Sequence, residues 1–172
     1  MVWGCFSCDS ALPTEDETRM TEAEEGTGGT TPSIPPAGGD AIQVEVLPVA
    51  TTGVSLFVER RREVIRDQGD WEPLWSLFSG NLQPSPSLPP VDFGQSTVIV
   101  AAMGRKPTGG YGIGISQVAV EGDTLYVTVV ETSPGPLCST IQVNTSPAVA
   151  VKLNRTGAPV IFLEEGATDA CG

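Results

Sequence analysis

The chain contains no histidine, so the commonest triad base, proton shuttle and zinc ligand is missing from the outset. The carboxylate pairs Glu121/Asp123 and Glu164/Glu165 fall in a turn and at the end of an apolar run, where ordinary solvation is expected. A lysine can activate a serine only when it is desolvated. Lys106 stands between Arg105 and Pro107, with nothing to strip its water. The four cysteines are Cys5, Cys8, Cys138 and Cys171. A zinc site would need all four to converge from a polar leader, a loop and the chain end. They allow three complete disulfide pairings. Cys138–Cys171 is the preferred one, since both belong to the folded part, and that bridge would be worth ~3 kcal/mol. Not an enzyme is the resulting expectation: no catalytic, cofactor-binding or metal-binding residues.

Charge excludes a second class. The net charge is −12, whereas a duplex-binding surface needs a basic stripe to meet phosphates. Arg60, Arg61 and Arg62 form the nearest approach to a basic cluster, and a solvated edge or turn is the expected setting for them. No nucleic-acid partner is expected.

One segment does invite a binding role. Gly104-Arg105-Lys106-Pro107-Thr108-Gly109-Gly110-Tyr111 joins two apolar runs. It holds two cations and an aromatic ring on an otherwise acidic chain. Its glycines permit positive φ or the close approach of another backbone. Two readings stand side by side: a tight hairpin loop with Tyr111 packing back, or a presented protein-binding loop made of Arg105, Lys106, Pro107, Thr108, Gly109, Gly110 and Tyr111. A phosphate cradle does not fit, because the Gly-Gly pair opens a strand and offers no helix N-terminus to an anion.

The elements that must position this loop are mostly strands. Ile42–Val46 alternates as a half-buried strand, ended by Pro48; residues 53–58 and 62–66 suggest two more. Thr97–Met103 is nearly continuously apolar, as a central strand would be. Tyr111–Val120 and Thr124–Thr132 read as a hairpin around Glu121-Gly122-Asp123. Ser133–Pro136 breaks the second of these, and runs at 141–151 and 160–163 complete the set. The spacing of Trp71, Leu74, Trp75 and Phe78 predicts a helix over about 70–78. Asp67 or Asp70 caps it, Pro73 is tolerated in its first turn, and Gly80-Asn81 stops it. The aromatic stripe is read as core. The fold expected is mainly β, with α+β as the variant: antiparallel sheets in a sandwich or partly open barrel, with one short amphipathic helix closing an edge or end.

Residues 1–40 read differently. They hold eight acidic side chains against Arg19 alone, a net −7, with Gly, Thr and Pro between them. Such a stretch buries too little apolar area to offset the entropy of ordering. The expected division is a flexible acidic leader over 1–40 and one β-rich domain over 41–172. Small-residue-then-Cys at Gly4-Cys5 reads as the end of a lipoprotein export signal, with Cys5 as the acylated residue; the charged and apolar regions of such a signal are missing before it, so a truncated start is the expectation. The expected location is therefore extracytoplasmic, periplasmic or cell-surface, with membrane contact only through that lipid; a cytoplasmic chain with a polar tail is the alternative.

Five stretches together resemble the C-terminal domain of the PrcB family of protease-complex proteins, over about residues 60–163. They are Val64-Ile65-Arg66-Asp67-Gln68 with Trp71, Leu74 and Trp75; Pro89-Pro90-Val91-Asp92-Phe93; Arg105–Tyr111; Glu131-Thr132-Ser133-Pro134-Gly135-Pro136 with Cys138; and Thr145-Ser146-Pro147. The resemblance implies an exported or lipid-anchored bacterial protein, and the family's named member is an accessory component of a surface protease complex. It carries no catalytic residue over to this chain. Asn144 and Ala148 depart from the family pattern, which often places an aromatic where Ala148 stands. The Pro-Thr-Gly-Gly-Tyr loop is also similar to the Asn-Pro-Thr-Thr-Gly-Tyr loop of chagasin-type cysteine-protease inhibitors, without their other inhibitory loops. Three functions follow as expectations: a non-enzymatic interaction domain with a protein partner such as a protease, a protease inhibitor using Arg105–Tyr111, or a structural envelope domain.

Overall fold

The computed structural model describes residues 39–48, 53, 55–80 and 82–171. The expectations for Cys5, Cys8 and nearly all of the acidic leader lie outside them. Eight strands and one helix follow in the order β1 (Asp40–Ala41), β2 (Glu45–Val46), β3 (Arg60–Ile65), α1 (Gln68–Ser79), β4 (Ser96–Met103), β5 (Gly112–Glu121), β6 (Thr124–Pro134), β7 (Ala148–Asn154) and β8 (Val160–Asp169). They form two four-stranded sheets, β1-β5-β6-β8 and β2-β7-β4-β3. The sheets face one another as a sandwich and do not close into a barrel.

β4 shows why its sequence is apolar on both sides of the pleat. Ile99 and Ala101 join Val149, Val151 and Leu153 of β7 and meet Val118, Leu125, Val127 and Val129 of the opposite sheet. Val98, Val100 and Ala102, with Ala148 and Ala150, face the other way and pack under α1. A strand covered on both faces has no polar side to show, so its run is continuous.

The helix starts where Asp67 accepts a hydrogen bond from the Asp70 N–H at 3.0 Å and ends at Gly80, whose φ is 55°. It buries Trp71, Leu74, Trp75 and Phe78, with Phe57 meeting Phe78 edge-on at 5.0 Å. Its placement differs from the expected edge or end: it lies over the outer face of the β4 sheet. The alanines at 102, 148 and 150 make that face shallow enough to accept two indole rings. The described domain is thus layered as helix, sheet, sheet.

Four further expectations are corrected. The sheets are not all antiparallel: β8 runs parallel to β6 from Leu125↔Val160 to Pro134↔Asp169. Residues 55–58 are not a strand, and residues 141–147 precede β7 as a loop, because most groups there bond to other loops, with Leu56 donating to Leu77 O of α1. β6 continues through Ser133 to Pro134, since that end is held by β8 rather than left free.

Candidate functional site

The segment Gly104–Tyr111 leaves β4 in a sharp turn. Gly104 has φ 72°, and a Cβ there would lie 2.8 Å from the Glu59 carbonyl carbon, so only glycine fits between the strand end and the 58–60 backbone. The loop does not project freely. Arg105 donates its N–H to Val58 O, and Lys106 exchanges two backbone hydrogen bonds with Thr145, at 2.7 and 3.0 Å. The Thr145 hydroxyl donates to Thr108 O at 2.7 Å. Gly109 is buried beneath Ile141 and donates to its carbonyl. Lys106 Nζ sits 5.6 Å from the centre of the Tyr111 ring, which a cation and a ring face favour.

The bracing segment is itself anchored. The Ser55 hydroxyl donates to Ser146 O at 2.6 Å and approaches Ser146 Oγ at 3.0 Å. Ser146 Oγ in turn donates to Phe57 O. Both serines are buried, so this knot ties 55–57 to 145–147 inside the protein. Further along, Gly135 donates its N–H to Asp169 O, and a disulfide joins Cys138 to Cys171 with the Cα atoms 5.3 Å apart. Three of the stretches that carry the family resemblance therefore meet at one end of the sandwich, mainly as scaffold.

What remains exposed there is mixed in character. Arg105, Pro107 and Gly110 face solvent. Beside them Val58, Ile141 and Val143 are 60%, 67% and 58% exposed and, with Leu56 and Arg105, line a groove of about 640 Å³. Sequence reasoning does not find this groove, because Ile141-x-Val143 has the alternation of a strand and residues 56 and 58 fall in another strand-like run. The predicted loop residues are brought together, but only part of the loop is presented: Gly109 is covered, and Lys106 and Tyr111 are occupied with each other.

The arginine run also departs from expectation. β3 is an edge strand, yet Arg62 is only 12% exposed in its side chain. Its Nη2 bonds Glu131 at 2.6 Å, its Nε bonds Glu164 at 2.8 Å, and Arg60 reaches the same two carboxylates. Burial pulls hardest on Glu131 and pushes its pKa up, but the hydrogen bonds and charges of Arg60 and Arg62 together hold it below the ordinary carboxylate range. For Arg62 burial is again the largest influence, lowering it, and Glu164 and Glu131 outweigh that to raise it. These groups are committed to each other across the two sheets.

Among the described residues no group of three His, Cys, Asp or Glu side chains is placed to hold a metal ion. Glu121 and Asp123 are exposed at the hairpin turn, and Glu164 belongs to the arginine network. No described helix is long and apolar enough to cross a membrane.

No curated protein and no solved structure matches the chain. The family match spans β4 to β7 and takes in Arg105–Tyr111, Glu131–Cys138 and Thr145–Pro147, while the stretches at 64–75 and 89–93 lie outside it. Residues 97–154 match the family described as PrcB C-terminal.

Proposed function

We propose that the β-sandwich is a non-enzymatic, extracytoplasmic interaction domain, an accessory to a protease or another envelope protein, carried on residues 1–40 as a spacer behind an acylated Cys5. The observation that carries the reading is the braced loop end. Arg105 and Pro107 are held rigidly beside an exposed apolar groove, an arrangement suited to a protein partner with a complementary acidic and apolar surface. A loop already ordered in the free protein loses little entropy on binding. The family resemblance supports the partner class, since its named member serves a surface protease complex.

The test is cross-linking in intact cells and purification with the partner, comparing the native chain with Arg105→Ala/Val143→Ser. Both side chains are exposed, so the fold and its melting temperature stay unchanged while partner recovery falls. Equal recovery from both chains removes the loop end from the interface.

A second reading uses the same geometry. The loop is fixed at Lys106 and Gly109 while Pro107 and Gly110 stay exposed, as a rigid loop entering a protease cleft would require. Titration of cysteine and serine proteases decides it: full activity at saturating domain rejects inhibition.

A further inference from the structure

β3 ends its sheet, and its outer backbone edge has no partner strand among the described residues. The register says which groups lie on that edge. Met103 donates its N–H to Pro147, away from β3, so Arg60, opposite Met103, sits in a non-hydrogen-bonded pair with β4. By the same alternation Arg60, Arg62 and Val64 turn their N–H and C=O outward, while Arg61, Glu63 and Ile65 bond to β4.

Edge strands are usually blunted by proline, bulges, charged side chains or inward-pointing charges, and of these β3 carries only the charges. β3 contains no proline and runs through six consecutive partners without a register shift. Its long side chains are also diverted. Arg60 and Arg62 turn toward the other sheet to reach Glu131 and Glu164. On the opposite face, Arg61, Glu63 and Ile65 border a groove of about 440 Å³ between β3 and α1, whose apolar wall is Pro73, Leu74 and Leu77. A bare strand edge beside an apolar trough is the geometry that captures extended peptides by strand addition.

We infer that β3 and α1 form a strand-addition site for an extended segment of a partner protein, running antiparallel to β3. Its backbone pairs with Arg60, Arg62 and Val64. Its side chains on the α1 face meet Ile65, Glu63 and Arg61 in turn, and the last two exchange their exposed contact with each other at 2.7 Å for cross-strand partners, so the segment reads apolar-x-basic-x-acidic from its N-terminus. A second copy of this chain fits less well. A two-fold register that matched Arg61 with Glu63 would set the two Arg62 residues directly opposite each other, like charge against like. This site is separate from the loop end and does not depend on it.

The probe is the peptide Thr-Val-Thr-Lys-Thr-Glu-Thr, added at up to ~1 mM to the isotope-labelled full chain and followed by amide chemical shifts. Saturable shifts are expected at Arg60, Arg62, Val64 and Leu77. N-methylation of the two peptide threonines opposite Arg62 and Val64 removes donors to those residues, and Leu77→Glu places a charge in the trough. Each is expected to weaken binding about tenfold or more. Arg105→Ala/Val143→Ser is expected to bind the peptide like the native chain, whatever its effect on the partner at the loop end. The inference is overturned by an absence of shifts, by equal binding of the N-methylated peptide, or by shifts confined to 105–111. Self-association through β3 that excludes the peptide, seen by sedimentation, also overturns it and assigns the edge to a second copy.

Discussion

The substitution Glu131→Gln probes the contact that joins the two sheets. Glu131 Oε1 accepts from Arg60 Nε at 2.8 Å and from Arg62 Nη2 at 2.6 Å. Its side chain is 20% exposed, that of Arg62 12%, and that of Arg60 50%. The Arg60 contact is therefore a surface ion pair worth ~0–1 kcal/mol. The Arg62 contact is shielded, and hydrogen bonds to charged groups contribute about 1.5–3 kcal/mol. Loss of the Glu131 charge also leaves two guanidinium groups sharing Glu164. The expected loss is about 2–3 kcal/mol at pH 7, below the ~3–5 kcal/mol for a fully buried pair. The pH dependence follows from linkage. The folded pKa of Glu131 lies below its unfolded value, so its contribution is complete above the ordinary carboxylate range. It fades as pH falls through that lowered pKa. Native and Glu131→Gln stabilities should thus differ most near neutrality and converge under acid. Urea titrations read by tryptophan fluorescence, with Trp71 and Trp75 buried reporters, measure both quantities. A difference below ~0.5 kcal/mol at pH 7, the scatter of ordinary surface changes, refutes the reasoning, as does a difference that persists or grows in acid. Arg62→Met supplies a second arm: combined with Glu131→Gln it should recover part of the loss, because an apolar side chain of similar length leaves no stranded charge.

Two other outcomes follow from backbone geometry and cross-linking. Gly104→Ala forces a side chain into positive φ and against the Glu59 and Arg60 backbone, so a loss of ~2–4 kcal/mol is expected. Gly114→Ala meets nothing within 4 Å and should stay within ~0.5 kcal/mol of the native chain; equal urea midpoints for the two variants would refute the assignment. Replacing Cys138 and Cys171 together by serine opens a bridge of sequence separation 33 and should cost about 3 kcal/mol, with free-thiol counts on the denatured native chain as the check that the bridge forms.

Periodicity made the local elements legible, and long-range pairing stayed hidden. Trp71, Leu74, Trp75 and Phe78 announce α1 because their spacing is a property of the helix alone. Thr97–Met103 announces β4 because burial on both faces erases alternation. The direction of β8 has no such local trace: Val160–Leu163 would read the same beside β6 in either sense. Arg62 is separated by 69 residues from Glu131 and by 102 from Glu164, so its run of charge could only be read as a solvated edge. Ser55 and Ser146 leave no local signal either, since a buried serine pair looks like ordinary loop composition until 55–57 and 145–147 are brought together. Ile141 and Val143 misled for the opposite reason. They alternate like a strand, but Thr145 and Ser146 give their hydrogen bonds to neighbouring loops and delay β7 until Ala148.

The bracing of the loop end changes what its glycines are for. A glycine pair read in isolation suggests a loop that bends to meet a partner. Here Gly109 is compact because Ile141 lies where its side chain would be, a Cβ coming within 2.7 Å of Ile141 Cγ1. Gly110, at φ 87°, turns the chain past Pro134 and Thr140. The pair therefore lets the loop settle against 134–145. The entropy of ordering Arg105–Tyr111 is met during folding, by the Lys106–Thr145 bridge and the Ser55–Ser146 knot. On the proposed role, a partner needs contacts only with what protrudes, Arg105 and the apolar wall at Val58, Ile141 and Val143. In that role the fixed loop would also be selective, since a partner lacking a matching acidic and apolar patch cannot recruit Lys106 or Tyr111 without breaking their mutual contact.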